Sequence, residues 1–272
     1  SNTAVGILAL YSNTTADNNI AVGRQALYAN TTGDLNVAVG NYALDANTVG
    51  DRNVAVGHNA LTTLNPSSNA DMCNVAVGYN AGYSMTTGTQ NISVGAYSLD
   101  ALTTGADNVA IGTGTLGVAT TGNYNIGIGS NALDATTTAS DNVAIGVNAL
   151  TANTTGAENI GIGKGALYAN TTGAYNIGIG DNALGTNTTA SNNTAIGKNA
   201  LAANETGADN TAVGMYSLDA NTTGGSNTSV GYNSLTTATT ASYNTAVGKN
   251  TLTNATTAAG NVAIGYQAMS SG

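Results

Sequence analysis

The stretch "NTTGDLNVAVGNYAL" at residues 30–44 decides the fold, because its pieces return along the whole chain. Close copies read "NTTGAENIGIGKGAL" at 153–167 and "NTTGAYNIGIGDNAL" at 170–184. One glycine, here named the repeat glycine, closes the apolar core of each copy, and it stands at Gly6, Gly23, Gly40, Gly57, Gly78, Gly95, Gly112, Gly129, Gly146, Gly163, Gly180, Gly197, Gly214, Gly231, Gly248 and Gly265. The step is 17 residues throughout, except for 21 between Gly57 and Gly78. Sixteen copies at a fixed period of this size predict a solenoid.

The spacing of apolar residues within one copy predicts the path of one coil. Val54 and Val56 alternate with Ala55, which is the period of a β-strand, and the paired Thr, Gly and Asn of each copy disfavour a helix. Each coil is therefore expected to contain a strand through N-V-A-V, a bend at glycine, a second short strand through A-L and a turn through N-T-T-G. The Val and Leu columns are expected to fill the core. The prediction is an all-β parallel β-solenoid of sixteen coils, a single domain over 1–272 and a rod roughly 75 Å long.

Composition excludes several classes of protein. Only 7% of the residues are charged and 5% aromatic, with no Trp or Phe, so a conventional globular core is not expected. The net charge of −9 argues against binding to nucleic acid or to an anionic membrane surface. No apolar run approaches the ~20 residues of a membrane-spanning helix, and no signal peptide is visible. The single Cys73 cannot form an intrachain disulfide.

Catalytic and metal-binding patterns are missing from the sequence. His58 is the only histidine, no Ser/His/Asp or Cys/His set is present, and no two acids recur as a fixed pair. The calcium-binding nonapeptide and the EF-hand pattern are absent. We therefore expect no catalytic, cofactor or metal site, and the prediction is that the chain is not an enzyme.

Two columns of the repeat carry structural predictions. Asn always stands four positions before the repeat glycine, which predicts an amide ladder through the stacked coils. Only Ala, Gly or Ser stands two positions before it, so something must approach that side of the strand closely. Packing within the coil would explain this, but the favoured interpretation is a homotrimer whose Ala/Gly/Ser faces meet at the three-fold axis. On that interpretation Ala144→Gln weakens assembly more than Val147→Gln. End-to-end stacking into a filament is the alternative assembly.

The position just after the repeat glycine is variable, which predicts an exposed column that could contact a receptor. It holds, among others, Arg24, Asn41, His58, Tyr79, Thr113, Lys164, Asp181, Lys198, Met215 and Lys249. The insertion "LNPSSNADMC" at 64–73 contains the only Pro and the only Cys and predicts a protruding loop. Sequons at Asn13, Asn30, Asn153 and Asn170 arise from the repeat itself and matter only in a host that glycosylates secreted chains.

At "NVAVG" (53–57) and "NVAIG" (108–112) the chain resembles the head repeats of trimeric autotransporter adhesins, the YadA-like group. The sequence pattern "NTAVG…AL…NTTG" also resembles repeats of phage tail-fibre-like proteins. The first resemblance implies a left-handed parallel β-roll that forms trimers. The unit of 17 residues is longer than the usual autotransporter head repeat, and no stalk, neck, membrane anchor or chaperone domain is recognisable. The chain is therefore expected to be a fragment of a longer fibre.

These observations leave several functions open. The leading expectation is a structural extracellular fibre or adhesin segment, on a cell surface or virion, with a cell-surface protein or glycan as possible receptor. Alternatives are a tail-fibre shaft that binds a glycan, and an ice-binding solenoid suggested by the Thr rows, although adjacent Thr pairs do not all face one plane. A carbohydrate-processing enzyme is the third class. The assembled fibre is expected to resist heat and proteases, with first cleavage in the 64–73 loop.

Overall fold

A computed structural model describes residues 1–270, so Ser271 and Gly272, the last two positions of the predicted 1–272 domain, lie outside the described residues. The described chain contains β-strands and turns and no helix. It divides into two compact units, one spanning Ser1–Ala139 and the other beginning at Ser140. The predicted parallel β-solenoid is confirmed, with one three-residue strand in each of the sixteen repeats.

The first unit stacks eight repeat strands in parallel and adds a short two-stranded sheet. Its strands are β1 (Thr3–Val5), β2 (Ile20–Val22), β3 (Val37–Val39), β4 (Gly50–Asp51), β5 (Val54–Val56), β6 (Ala70–Asp71), β7 (Val75–Val77), β8 (Ile92–Val94), β9 (Val109–Ile111) and β10 (Ile126–Ile128). Strands β4 and β6 pair with each other, while the other eight follow one another in the main sheet. The register aligns equivalent residues, for example Ala38 with Ala55.

The second unit repeats the same arrangement without interruption. Its strands are β11 (Val143–Ile145), β12 (Ile160–Ile162), β13 (Ile177–Ile179), β14 (Thr194–Ile196), β15 (Thr211–Val213), β16 (Thr228–Val230), β17 (Thr245–Val247) and β18 (Val262–Ile264). Each pairs in parallel with the next, so that Gly161 lies opposite Gly178 and Ala195 opposite Ala212. Because like stacks on like, each coil presents the next one with its own pattern of side chains and hydrogen bonds.

The side of the strand that faces the core is opposite to the one predicted. The middle residue of every repeat strand from β2 to β18 is buried, while the flanking Val, Ile and Thr are half-buried or exposed. The Val column therefore does not fill the core, and the prediction that the Ala/Gly/Ser column faces a neighbouring subunit is wrong. The physical reason is the thinness of the coil. A Cβ added to Gly161 would stand 3.2 Å from the carbonyl oxygen of Ala166 and 3.2 Å from Cγ of Leu150, so only small side chains fit.

Serine pairs confirm how closely the two walls of a coil approach. The middle strand residue Ser93 and the residue five positions later, Ser98, bring their hydroxyls within 2.6 Å of each other, and Ser229 donates to the backbone carbonyl of Ser234 at 2.8 Å in the equivalent place. In the second unit Ser217 donates to the hydroxyl of Ser229 in the next coil at 2.8 Å. These buried hydroxyls are satisfied inside the protein, which removes the cost of burying them.

The predicted Leu column is confirmed as core, but the predicted second strand through A-L is wrong. Leu27, Leu44 and Leu61 are fully buried, each four positions after a repeat glycine. Their backbones are in the left-handed region, with φ of 50–51°, and the residue two positions earlier is also left-handed, as in Asn59 with φ of 56°. Such residues coil the chain instead of extending it, so this wall consists of turns that hydrogen-bond between coils, as from Leu27 N–H to the Ala43 carbonyl at 3.0 Å.

The bend at the repeat glycine is confirmed and explains why no other residue occupies it. Gly57 has φ of +140°, a conformation that residues with a side chain rarely adopt. A Cβ there would also stand 2.3 Å from the carbonyl oxygen of Gly78 in the next coil. A Cβ on Gly163 would likewise stand 2.5 Å from the carbonyl oxygen of Gly180. Both backbone conformation and coil stacking therefore require glycine.

The predicted amide ladder is confirmed, and its members from Asn19 to Asn244 are buried, while the terminal Asn2 and Asn261 are not. The Oδ1 of Asn19 accepts the backbone N–H of Asn36 at 2.9 Å, and the Oδ1 of Asn36 accepts the Nδ2 of Asn53 at 3.0 Å. The Nδ2 of Asn36 also donates to the carbonyl of Gly50 at 2.9 Å. Each side chain thus binds both its neighbouring coil and a turn of the backbone, as a buried amide must.

A second amide ladder stands seven positions after the repeat glycine, and the sequence interpretation missed it. In the second unit it runs through Asn153, Asn170, Asn187, Asn204 and Asn221, linked by Nδ2-to-Oδ1 distances of 2.7–3.0 Å. Both ladders bind the same carbonyl, since Gly207 accepts from Asn193 and Asn204 at 2.9 Å each. The sequons at Asn30, Asn153 and Asn170 are fully buried and closed to glycosylation in the folded chain.

The insertion is anchored to the core at both ends. Leu64 and Met72 are buried, while the tip at 67–69 is exposed. Asp71 lies opposite Asp51 in the β4–β6 pair, and the Asp71 carboxylate accepts a charged hydrogen bond from Arg52 at 2.7 Å. The predicted loop therefore protrudes only over its few central residues.

Candidate functional site

The outer face is the surface of the sheet made by the first and third residues of each repeat strand. Its members are almost all Val, Ile or Thr, and in the first unit they are half-buried or exposed in every coil. Ile92 and Ile111, for example, each expose 39% of their surface. Because the strands are in register, these side chains form two straight rows of β-branched residues at the strand spacing of about 4.8 Å.

The outer face changes chemistry within the second unit. From β11 to β13 both rows are Val and Ile, whereas β14 to β17 replace the first row by Thr194, Thr211, Thr228 and Thr245. The register places these four threonines directly opposite one another in successive coils. The other row keeps Ile or Val. The result is a regular array of hydroxyls beside a row of methyl groups on one sheet surface.

A second surface lies at the bend after the repeat glycine of the first unit, and we name it the aromatic strip. It consists of Arg24, Tyr42, His58, Tyr79 and Tyr97, one side chain from each of five successive coils. The guanidinium of Arg24 lies 5.5 Å from the centre of the Tyr42 ring. Ring centres then follow at 5.9 Å from Tyr42 to His58, 5.5 Å from His58 to Tyr79 and 5.3 Å from Tyr79 to Tyr97.

The other residues predicted to form the exposed column are also exposed, namely Asn41, Thr113, Lys164, Asp181, Lys198, Met215 and Lys249. Lys164, Lys198 and Met215 are exposed in the second unit. Asp181 stands 4.0 Å from the amine of Lys198, a solvent-exposed ion pair of little energetic weight. Aromatic contacts are fewer there than in the first unit. Tyr216 and Tyr232 meet edge to face at 6.4 Å, and the amine of Lys249 lies 5.5 Å from the Tyr232 ring.

Four aspartates on the turns have raised pKa values. Burial raises the pKa of Asp45, although the Thr62 hydroxyl donates to its carboxylate at 2.6 Å. Burial also raises the pKa of Asp100, and the carboxylate of Asp134 adds to that shift. Asp134 and Asp51 are raised by the same cause. Asp45, Asp100 and Asp134 belong to separate coils.

Residues 1–270 contain no cluster of three or more His, Cys, Asp or Glu side chains that could hold a metal ion. His58, the only histidine, belongs to the aromatic strip, and Cys73 is an exposed free thiol. Within the same described range, no helix is long and apolar enough to cross a membrane.

Sequence reasoning missed parts of both surfaces. Tyr42 and Tyr97 stand two positions after the repeat glycine, while His58 and Tyr79 stand one after it, so a single column shows only half of the aromatic strip. Comparing two adjacent columns would have found it. The outer face was missed because β-branched residues were taken as core, and the repeated "NTAV" and "NTAI" of β14, β15 and β17 were the available signal.

Comparison with family models, with curated protein sequences and with solved structures finds no significant match to this chain.

Proposed function

We propose that this chain is a structural segment of an extracellular fibre or adhesin, assembled as a homotrimer through the outer face. The observation that carries the proposal is the row of β-branched side chains that each coil leaves partly uncovered, such as Ile111 and Ile145. Monomeric soluble proteins rarely leave large contiguous apolar patches exposed. A symmetric oligomer buries the same surface on every copy.

The coil itself supports this choice of interface. Its inner side holds mostly Ala, Gly, Ser, Leu and Asn, with a few buried Met and Thr, so a single chain has a thin core with few large side chains. Burying a Val or Ile side chain fully contributes on the order of 1.5–3 kcal/mol, and the outer face withholds part of that gain from the single chain. Packing the outer faces together recovers it in every coil.

A fibre role also agrees with the source of stability. Within the described residues each repeat strand contacts only the repeat strands of the neighbouring coils, so length can be added at constant stability per coil. Limited proteolysis of the assembled protein tests the proposal. We expect first cleavage in the exposed tip at 67–69, followed by a resistant core. Early cuts scattered over many N-T-T-G turns would contradict it.

A second candidate is an ice-binding surface, favoured by the threonine row of β14 to β17. Thr194, Thr211, Thr228 and Thr245 share one sheet surface in register. A flat array of hydroxyl and methyl groups is the chemistry that could order water at a regular spacing. A thermal-hysteresis assay separates the candidates, because a fibre segment should give none. Activity that Thr211→Lys abolishes would favour ice binding.

A further inference from the structure

We propose that the aromatic strip of the first unit is a binding track for a neutral glycan chain that lies along the stacked coils. This inference rests on the proposed adhesin role and gives that role a ligand class. It concerns Arg24, Tyr42, His58, Tyr79 and Tyr97, a surface separate from the outer face.

The spacing of the rings supports an extended ligand. Three successive ring-to-ring distances of 5.9, 5.5 and 5.3 Å place one aromatic group at each coil from Tyr42 to Tyr97. A linear polymer of ring-shaped units can meet one such group after another without bending. Because all four rings come from a rigid stack of coils, the ligand does not have to order them on binding.

The orientation of the rings leaves aromatic surface for a ligand. His58 and Tyr79 stack within 20° of parallel and cover one face of each other, whereas Tyr42 is turned by 70° to His58 and Tyr97 by 71° to Tyr79. Tyr79 exposes 48% of its surface and Tyr97 45%. The face of an aromatic ring is negative and attracts the weakly positive C–H groups that line one side of a sugar ring.

Carboxamides beside the rings supply the polar half of sugar recognition. Asn59 and Asn80 follow His58 and Tyr79 in sequence, and the Nδ2 of Asn59 donates to the Oδ1 of Asn80 at 3.2 Å. Among residues 1–270, the remaining Nδ2 of Asn80 and Oδ1 of Asn59 have no protein partner. A donor and an acceptor on the residues that follow two of the rings in sequence match the hydroxyls at the edge of a sugar.

Charge favours a neutral ligand over a polyanion. The chain has a net charge of −9, and the only basic side chain in the strip, Arg24, is held over the Tyr42 ring. A nucleic acid or a sulfated glycan needs several cations along its path, because phosphate neutralisation dominates such binding. The strip offers stacking without that charge.

The proposed track is confined to one part of the molecule. Over the described part of the second unit, residues 140–270, one edge-to-face pair stands at this position, Tyr216 with Tyr232 at 6.4 Å. Tyr11 and Tyr28 form a separate stacked pair of two rings, with ring centres 5.5 Å apart. Both stand five positions after a repeat glycine, whereas the residues of the strip stand one or two positions after it. This pair has the same contact chemistry as the strip but not its length, which makes it a matched control.

Affinity electrophoresis in gels that contain hydroxyethyl cellulose, soluble starch or mannan tests the inference, with heparin gels and a labelled oligo(dT) as polyanion probes. We expect at least one neutral polysaccharide to retard the protein and neither polyanion to bind. Retardation by none of the three neutral polysaccharides, or by a polyanion alone, would overturn the proposal.

Variants then locate the site. The triple change Tyr42→Ala, Tyr79→Ala and Tyr97→Ala should weaken retardation about tenfold or more, while Tyr11→Ala with Tyr28→Ala leaves it unchanged. Circular dichroism of each variant checks that the β-sheet persists. If the triple variant unfolds, Tyr79→Leu is tested in its place, because leucine keeps apolar bulk at that position. Equal loss in both sets would contradict a track at the strip. Because the trimer is measured separately by its mass, a failure here leaves the fibre proposal standing.

Discussion

The two sides of a single three-residue strand lie in opposite environments in this protein. In β11 the middle residue, Ala144, is completely buried, while its neighbour Ile145 exposes 37% of its surface. Residue size runs against the usual order, since the smaller side chain lies inside. The difference teaches that the width of the coil, and not hydrophobicity alone, decides which side faces the core.

The inner side should be the most sensitive to substitution. Ala144→Gln places a long polar side chain against the opposite wall of the coil, which overpacks the core and buries an amide without a partner. We expect a loss of about 3 kcal/mol or more in the free energy of unfolding, measured by urea denaturation. Val147→Gln is the control, because Val147 exposes 47% of its surface, and it should change stability by less than about 0.5 kcal/mol. Equal effects would mean that the inner side is misassigned.

The polar ladders of the inner side should come next in sensitivity. Asn187 donates to Asn170 and accepts from Asn204, each at 2.9 Å, so Asn187→Leu leaves buried amide groups unpaired. The expected cost is about 1–3 kcal/mol. Thr189→Leu, an exposed position in the same turn, is the matched control and should cost far less.

The same position in the first unit sharpens this prediction. There the column that continues from Asn47 is occupied by Leu64, Met85 and Leu102, all buried. A leucine is therefore acceptable where its neighbours are apolar. If Asn187→Leu left the free energy of unfolding unchanged, the amide ladder would stabilise the fold by filling space and not by hydrogen bonding.

The half-buried aspartates of the turns should have the smallest effect on stability, and that effect should depend on pH. Burial raises the folded-state pKa of Asp45, Asp51, Asp100 and Asp134 above the ordinary value of 3.8. The folded state then holds these protons more tightly than the unfolded state, so stability falls as pH rises through the window just above 3.8. We expect the melting temperature to be higher near pH 4 than near pH 7.

Asp100→Asn isolates that effect. The substitution should raise the melting temperature slightly at pH 7 and flatten its dependence on pH, because one raised carboxylate is removed. Glu158→Gln removes an equal charge from an exposed site and serves as the control. A steeper pH dependence in Asp100→Asn would show that the sign has been misread.

The period, the strand position, the glycine bend and the first Asn ladder could be predicted because each is a local rule written into every repeat. Which side of the strand faces the core could not be predicted. Val54 and Ala55 alternate in the same way whichever side is buried, and only the distance to the opposite wall decides between them. That distance follows from left-handed residues such as Leu61, whose conformation no propensity rule assigns to leucine.

The candidate surfaces were harder to predict for a related reason. The aromatic strip mixes two sequence columns, and the rings of Tyr42 and His58 meet only because the bend brings adjacent positions to one edge. The outer face became visible only once the inner side was known. The sequence pattern alone shows which positions repeat, whereas the three-dimensional coil shows to which side their side chains face.

The mass of the assembled protein tests the central claim that the outer face is an interface. Light scattering of the unmodified chain should give about three times its mass of 26.6 kDa. Ile162→Lys combined with Ile179→Lys places charges on the outer face and should give a monomer with an unchanged β-sheet spectrum. Val147→Lys, outside that face, should remain trimeric. A monomeric unmodified chain, or a trimer that survives both outer-face lysines, would contradict the account.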